Sequence, residues 1–183
     1  GTGPHLCFLH GFCENLSMWD HLITELKNKY TCIAIDFPGF GNSSSAEFNS
    51  IKDLAESVNL ILMEEKATNT TIFGHSMGGY VLAEYMNRYS GKLNAAGFIH
   101  SSAGQDSPEK KENRNKTIQF IKNHGTEEFL NIFISSLVAE QNITRLKSAL
   151  LSLVKGTTPE TILKGLTAMR DRPDHSDTIA SFS

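Results

Sequence analysis

Gly74-His75-Ser76-Met77-Gly78-Gly79 follows directly on the β-prone stretch Thr70-Thr71-Ile72-Phe73. A serine with glycine two residues before and after it, set between a short apolar strand and a helix, is the pattern of a nucleophile elbow. There the chain turns sharply and leaves one hydroxyl exposed at the bend. Gly74, Gly78 and Gly79 are read as small by necessity, because the backbone at the bend is strained and strand and helix pack almost against it. Alone, the pattern is short. Its setting makes it specific, because the residues after it bring Leu82, Tyr85, Met86 and Tyr89 onto one helical face.

Upstream of the elbow, residues 5–10 (His-Leu-Cys-Phe-Leu-His) read as a buried strand ending at Gly11, followed by a helix with Trp19, Leu22, Ile23 and Leu26 at helical spacing. Residues 31–36 (Thr-Cys-Ile-Ala-Ile-Asp) form a second buried strand, closed by the turn-rich run Pro38-Gly39-Phe40-Gly41-Asn42-Ser43. A helix starting near Ser50 turns Ile51, Leu54, Val58, Ile61 and Leu62 inward, and the elbow helix runs to about Ser90. Downstream, residues 96–100 form a fourth strand that ends in Ser101, Ser102 and Ala103.

Continuous apolar strands alternating with helices predict an α/β fold, a mostly parallel doubly wound sheet. In such sheets ligands bind at the carboxyl ends of the strands. His10-Gly11-Phe12, Ser76 and Ser101-Ser102 all fall there. From Gln105 the alternation stops, and residues 108–124, 127–137, 144–155 and 159–170 read as four helices. They are richer in apolar residues than one stripe requires, so a helical cap over the strand ends is expected. The divisions are 1–104 for the sheet core, 105–170 for the cap and 171–183 for a segment returning toward the core.

The chain has 183 residues, 39% hydrophobic and 20% charged, with a net charge of −3, as in an ordinary globular domain. That balance argues against a nucleic-acid partner, and no apolar run is long enough to span a membrane. Cys7, Cys13 and Cys32 form no disulfide framework and suit a reducing compartment, so a cytoplasmic location is expected. Cys7 and Cys32 are read as small core residues and Cys13 as an ordinary loop position. A removed leader before Gly1 stays open.

Together, His10-Gly11-Phe12, Asp36-Phe37-Pro38-Gly39-Phe40-Gly41-Asn42-Ser43 and Gly74–Gly79 resemble the α/β-hydrolase superfamily in order and spacing, over most of residues 5–104. The resemblance implies that Ser76 is the nucleophile and that the backbone N–H groups of Phe12 and Met77 form an oxyanion hole. A serine, where dehalogenases and epoxide hydrolases of this fold carry an aspartate, implies acyl chemistry on a small ester or related substrate through an acyl-enzyme. A C–C bond hydrolase or thioesterase shares the machinery, and a non-catalytic binding module is the alternative from another class. No metal or cofactor is implied; the partner is a small acyl molecule.

Of the remaining polar residues, His75 is expected to point away from Ser76 and His10 to brace its loop. Asp36 should organise the Gly39–Ser43 turn, and His100 and Ser101 lie where they could touch substrate. The family's acid and histidine follow two further strands that these 183 residues do not contain. Asp106 is read as an exposed loop aspartate, and His175 has no strand to position it. The chain is therefore expected to be part of a larger hydrolase, its open sheet edges covered by a further segment or a second copy.

Overall fold

His5–Leu9, Thr31–Ile35, Thr70–His75 and Leu93–Ile99 form strands β1 to β4 in the computed structural model, which describes residues 1–154 and 156–182. All pairings are parallel and the order is β2-β1-β3-β4, with Leu9 opposite both Ile35 and Gly74 and His75 opposite Ile99. β1 and β3, which lead into the Phe12 loop and the elbow, are thus the two central strands. β2 and β4 are the edges.

Side chains alternate across the sheet, because successive residues of a strand point to opposite faces. Cys7, Leu9 and Ile72 face helices α2 (Ile51–Glu64) and α3 (Met77–Tyr89), where Leu54, Val58, Val81, Leu82 and Tyr85 complete a buried layer. Leu6 and Phe8 face the other way, toward Trp19 and α1 (Asp20–Leu26), with Phe8 stacked on Phe73 at 5.6 Å. The expected parallel sheet with helices on both faces is therefore present, but the two faces are covered unequally. α1 has no fully buried residue, and Leu22, one of its apolar residues at helical spacing, is 40% exposed. Its short helix lies along the rim of an open apolar cleft lined by Leu6, Phe8, Phe73 and Ile99.

Helix starts follow local chemistry. Ser50 and Asp53 close a capping box at α2, each side chain accepting from the other's backbone N–H. α4 (Pro108–His124) and α7 (Pro159–Arg170) each begin with proline behind a capping hydroxyl, Ser107 and Thr158 respectively. Gly125, at φ 86°, separates α4 from α5 (Thr126–Ser136). α6 spans Glu140–Leu153, starting four residues earlier than its apolar spacing predicts, and its predicted end at Lys155 lies outside the described residues.

Helices α4–α7 lie against the loops at the carboxyl ends of the strands. Phe129 and Phe133 of α5 pack on Phe12 with ring centroids 6.4 and 5.8 Å away, and Gly165 of α7 sits against the same ring. Ile162, Leu166 and Met169 of α7 are buried, each contributing about 1.5–3 kcal/mol of apolar burial. Asn15, in the turn after the Phe12 loop, donates to the carbonyls of Ser152 and Leu153 at the end of α6, at 3.2 and 2.9 Å. The last residues turn back onto the sheet half as a short helix, α8 (Ser176–Ala180), which packs on α3. Strand-free and only five residues long, α8 is not signalled by any periodicity; the predicted end of this segment at Ser183 lies outside the described residues.

Two cysteines differ from expectation. Cys13 is completely buried, with φ 60°, because its loop folds under the helical segment. Cys32 is only half-buried, on the sparsely covered face beneath α1.

Candidate active site

Ser76 has φ 50° and ψ −113°, a conformation that L-residues adopt only when their surroundings enforce it. The enforcement is visible on every side. Its N–H donates to the Ile99 carbonyl of β4 at 3.0 Å, and its own carbonyl accepts from Gly79 N–H at 3.0 Å and from the Ser101 hydroxyl at 2.7 Å. A β-carbon on Gly78 would lie 2.5 Å from the Leu9 carbonyl oxygen and 2.7 Å from that of His10, so α3 can approach β1 this closely only with glycine there. Gly74 is under the same constraint, from Gly78 and Gly79, and Gly79 lies against Ser101.

Met77 is the first residue of α3, so its N–H has no helical acceptor and lies beside the serine at the positive end of the helix dipole. The Phe12 N–H likewise has no acceptor among the described residues. Its neighbour Gly11 does: Gly11 N–H donates to a Glu14 carboxylate oxygen at 2.6 Å. The same oxygen is 3.0 Å from His75 Nδ1. Glu14 is buried and joins the β1 loop to the residue before the nucleophile, which fixes the two stretches of backbone relative to each other.

A family model described as alpha/beta hydrolase fold matches residues 4–161. The chain belongs to this family. It is similar to a putative non-heme haloperoxidase from Mycobacterium phage D29, 32% identical over 109 residues, which are 58% of this chain and 39% of that protein. It is also similar to a pimeloyl acyl-carrier protein methyl ester esterase from Aeromonas hydrophila, 34% identical over 105 residues, 56% of this chain and 39% of that protein. Among solved structures, a thermophilic esterase from Thermogutta terrifontis superposes with a TM-score of 0.88 at 24% identity, covering 100% of this chain and 69% of that one. The chain thus spans 39% of the length of these two curated relatives.

Within this alpha/beta hydrolase frame, the supporting residues are placed as follows. His10 is fully buried; its Nε2 accepts from Phe37 N–H at 3.1 Å and its Nδ1 lies 2.7 Å from the Gly11 carbonyl. These partners assign the neutral tautomer with the proton on Nδ1. Burial pushes its pKa down, against smaller upward contributions from the Gly11 carbonyl and the Glu14 and Asp36 charges. Asp36 accepts from Leu16 N–H at 2.7 Å and Asn42 N–H at 2.8 Å, so it ties the β2 turn to the β1 loop. The ring of His75 meets that of His100 edge-on at 6.2 Å, and His100 is exposed at the mouth of the strand ends with φ 46°.

Asp106 is not the exposed loop residue its polar neighbourhood predicts. It is buried, ion-paired to Arg114 Nε of α4 and to Arg172 Nη1, the latter at 2.8 Å. Burial alone would raise its pKa, but hydrogen bonds and charge from both arginines outweigh that and hold the carboxyl below its ordinary value. Arg172 also donates to the carbonyls of Gly104 and Met169 and stacks over Tyr80 of α3 at 3.7 Å. His175 Nε2 is 2.6 Å from Glu84 of α3. Glu84 lies eight residues beyond Ser76, about 12 Å of helix rise away, so this pair sits on the flank of α3 rather than at the serine.

Sequence reasoning passed over Glu14, Arg114 and Arg172. Glu14 carried a local signal, a carboxylate three residues after a glycine whose N–H needs an acceptor. The arginines carried none, since Arg172 meets Asp106 only through the path of the intervening helices. Burial also pushes the Cys7 and Cys13 thiols well up, so neither is poised as a nucleophile. Among the described residues no group of three His, Cys, Asp or Glu side chains is placed to hold a metal ion.

Proposed function

We propose that this protein is a serine hydrolase that cleaves a small ester or related acyl substrate through an acyl-enzyme on Ser76. The carrying observation is the enforced left-handed backbone at Ser76 at the start of α3; the Met77 and Phe12 N–H groups, which have no acceptor among the described residues, support the reading as its oxyanion donors. In this reading the serine oxygen attacks the acyl carbon, the two N–H groups hold the oxyanion, the alcohol leaves, and water then hydrolyses the acyl-enzyme. The esterase among the relatives supports the substrate class.

Helices α4–α7 act as the cap, with Phe12, Phe129 and Phe133 excluding water, and His100 faces the mouth. The reading places the histidine base and its acid on residues other than His10, His75, His175 and Asp106. Support for that placement is that His10, His75 and His175 are each bonded to other partners, and Asp106 to two arginines.

The test is labelling with a fluorophosphonate and turnover of a short p-nitrophenyl ester by the protein with its complete gene product. Label on the Ser76 peptide is expected, with turnover falling by on the order of 10⁶-fold in Ser76→Ala. Equal turnover by that variant would sink the proposal. A non-catalytic binding module, the second reading, is favoured by the lack of a histidine bonded to Ser76 among the described residues; it predicts neither label nor turnover.

A further inference from the structure

A cavity of about 320 Å³ lies between the Phe12 loop and helices α4, α5 and α7. Its inner wall is aromatic, made by Phe12, Phe129 and Phe133, with Leu166 of α7 beside them. The side formed by α4 is different. Lys110, Asn113, Arg114 and Thr117 recur at helical spacing along one face, and all four line the cavity.

The charge on that face is not balanced. Arg114 and Arg172 share a single carboxylate, Asp106, which leaves one positive charge uncompensated beside the cavity. Lys110, one turn before Arg114, forms no ion pair among the described residues and is exposed. Glu109 and Glu112 of α4 do not line the cavity. An aromatic pocket with a cationic rim is complementary to an apolar body that ends in an anion.

We propose that this cavity is a subsite for a carboxylate carried on an apolar chain or ring. The apolar part lies against Phe12, Phe129 and Phe133, and the carboxylate faces Lys110 and Arg114. Phe12 links the subsite to the elbow, since its ring forms the wall and its neighbour Gly11 lies against His75, the residue before Ser76. The substrate is then an ester whose acyl or alcohol part bears a second, ionised carboxyl group. As a statement about substrate, this rests on the acyl-enzyme reading above; as a statement about binding, it does not.

The two are separated by measuring binding on the Ser76→Ala protein, which cannot turn over. Calorimetric titration compares 4-phenylbutyrate with 4-phenylbutan-1-ol, which have the same apolar body with and without the charge. Tighter binding of the acid is expected, by on the order of fivefold for a partly exposed ion pair, and the preference should shrink in high salt. It should disappear in Lys110→Glu, an exposed change that leaves the fold intact. Equal binding of acid and alcohol, no binding of either, or a preference that survives Lys110→Glu overturns the proposal. With Ser76 restored in the complete gene product, mono-p-nitrophenyl glutarate should be favoured over p-nitrophenyl butyrate in kcat/KM. If neither ester is cleaved while the anion preference holds, the acyl-enzyme reading fails and the subsite stands.

Discussion

The sheet half and the helical half of this molecule are held together by different means. From His5 to Ile99 the contacts are continuous and apolar, and the close approaches are backbone to backbone, as where Gly78 meets the Leu9 and His10 carbonyls. From Pro108 to Arg170, helices α4 to α6 bury one or two residues each and leave Ile132 59% exposed, and the segment joins the sheet half at separate fastenings. These are the aromatic group on Phe12, the buried face of α7, the Asn15 hydrogen bonds to the end of α6, and the ionic clamp of Asp106, Arg114 and Arg172. The contrast teaches that one half is specified by its own continuity and the other by where it is attached. A helical segment of this kind can change its surface freely as long as the fastenings remain.

Removing the clamp should separate the halves most. Asp106→Ala leaves two buried or half-buried guanidinium groups without their carboxylate and is expected to destabilise by about 3–5 kcal/mol. Hydrogen exchange should show protection lost in α4 and α7 while β1 and β3 keep theirs; equal loss in the strands would mean the two halves open as one unit. Acid should act in the same direction. Because the folded carboxyl of Asp106 lies below its ordinary value, its stabilising contribution is complete above about pH 4 and is lost as pH falls toward that lowered value. The helical half should therefore loosen first on acid titration followed by exchange or near-ultraviolet circular dichroism.

Gly78→Val attacks the other half. The added side chain meets backbone that cannot move aside, at an expected cost of about 1–3 kcal/mol. Urea denaturation should register the loss, and exchange should place it in β1, β3 and α3. Ser50→Ala, which opens the α2 capping box, should cost about 1 kcal/mol and likewise stay in the sheet half. Ile132→Ser on the exposed face of α5 should change thermal stability by less than about 0.5 kcal/mol, which distinguishes attachment from surface as the specifying feature.

The same contrast explains how much of the protein could be read from its residues. Strands β1 to β4 and helices α2 and α3 are legible because apolar periodicity is a local property, and the elbow is legible because sterics at one bend demand Gly74, Gly78 and Gly79. Leu22 belongs to the apolar stripe of α1, but a helical stripe shows only which side is apolar, not whether anything covers it. Asp106 shows the opposite limit. Its surroundings in sequence are polar and loop-like, and its burial depends on Arg172, 66 residues later, which no nearby pattern announces. Glu14 lies between these cases, a short-range turn whose second partner, His75, comes from another strand.

The strand order has a further consequence. The chain builds β1 and β2 first, then crosses back so that β3 docks on the opposite side of β1, 61 residues separating Glu14 from its partner His75. The Phe12 and Met77 N–H groups therefore belong to segments that are neighbours only once this long-range pairing exists, and long-range pairings are the slow ones to form. During refolding, capture of a fluorophosphonate at Ser76 would then track the docking of β3 on β1 rather than the appearance of helix. If the proposed nucleophile role holds, labelling of Ser76 would serve as a clock for the assembly of the sheet's centre.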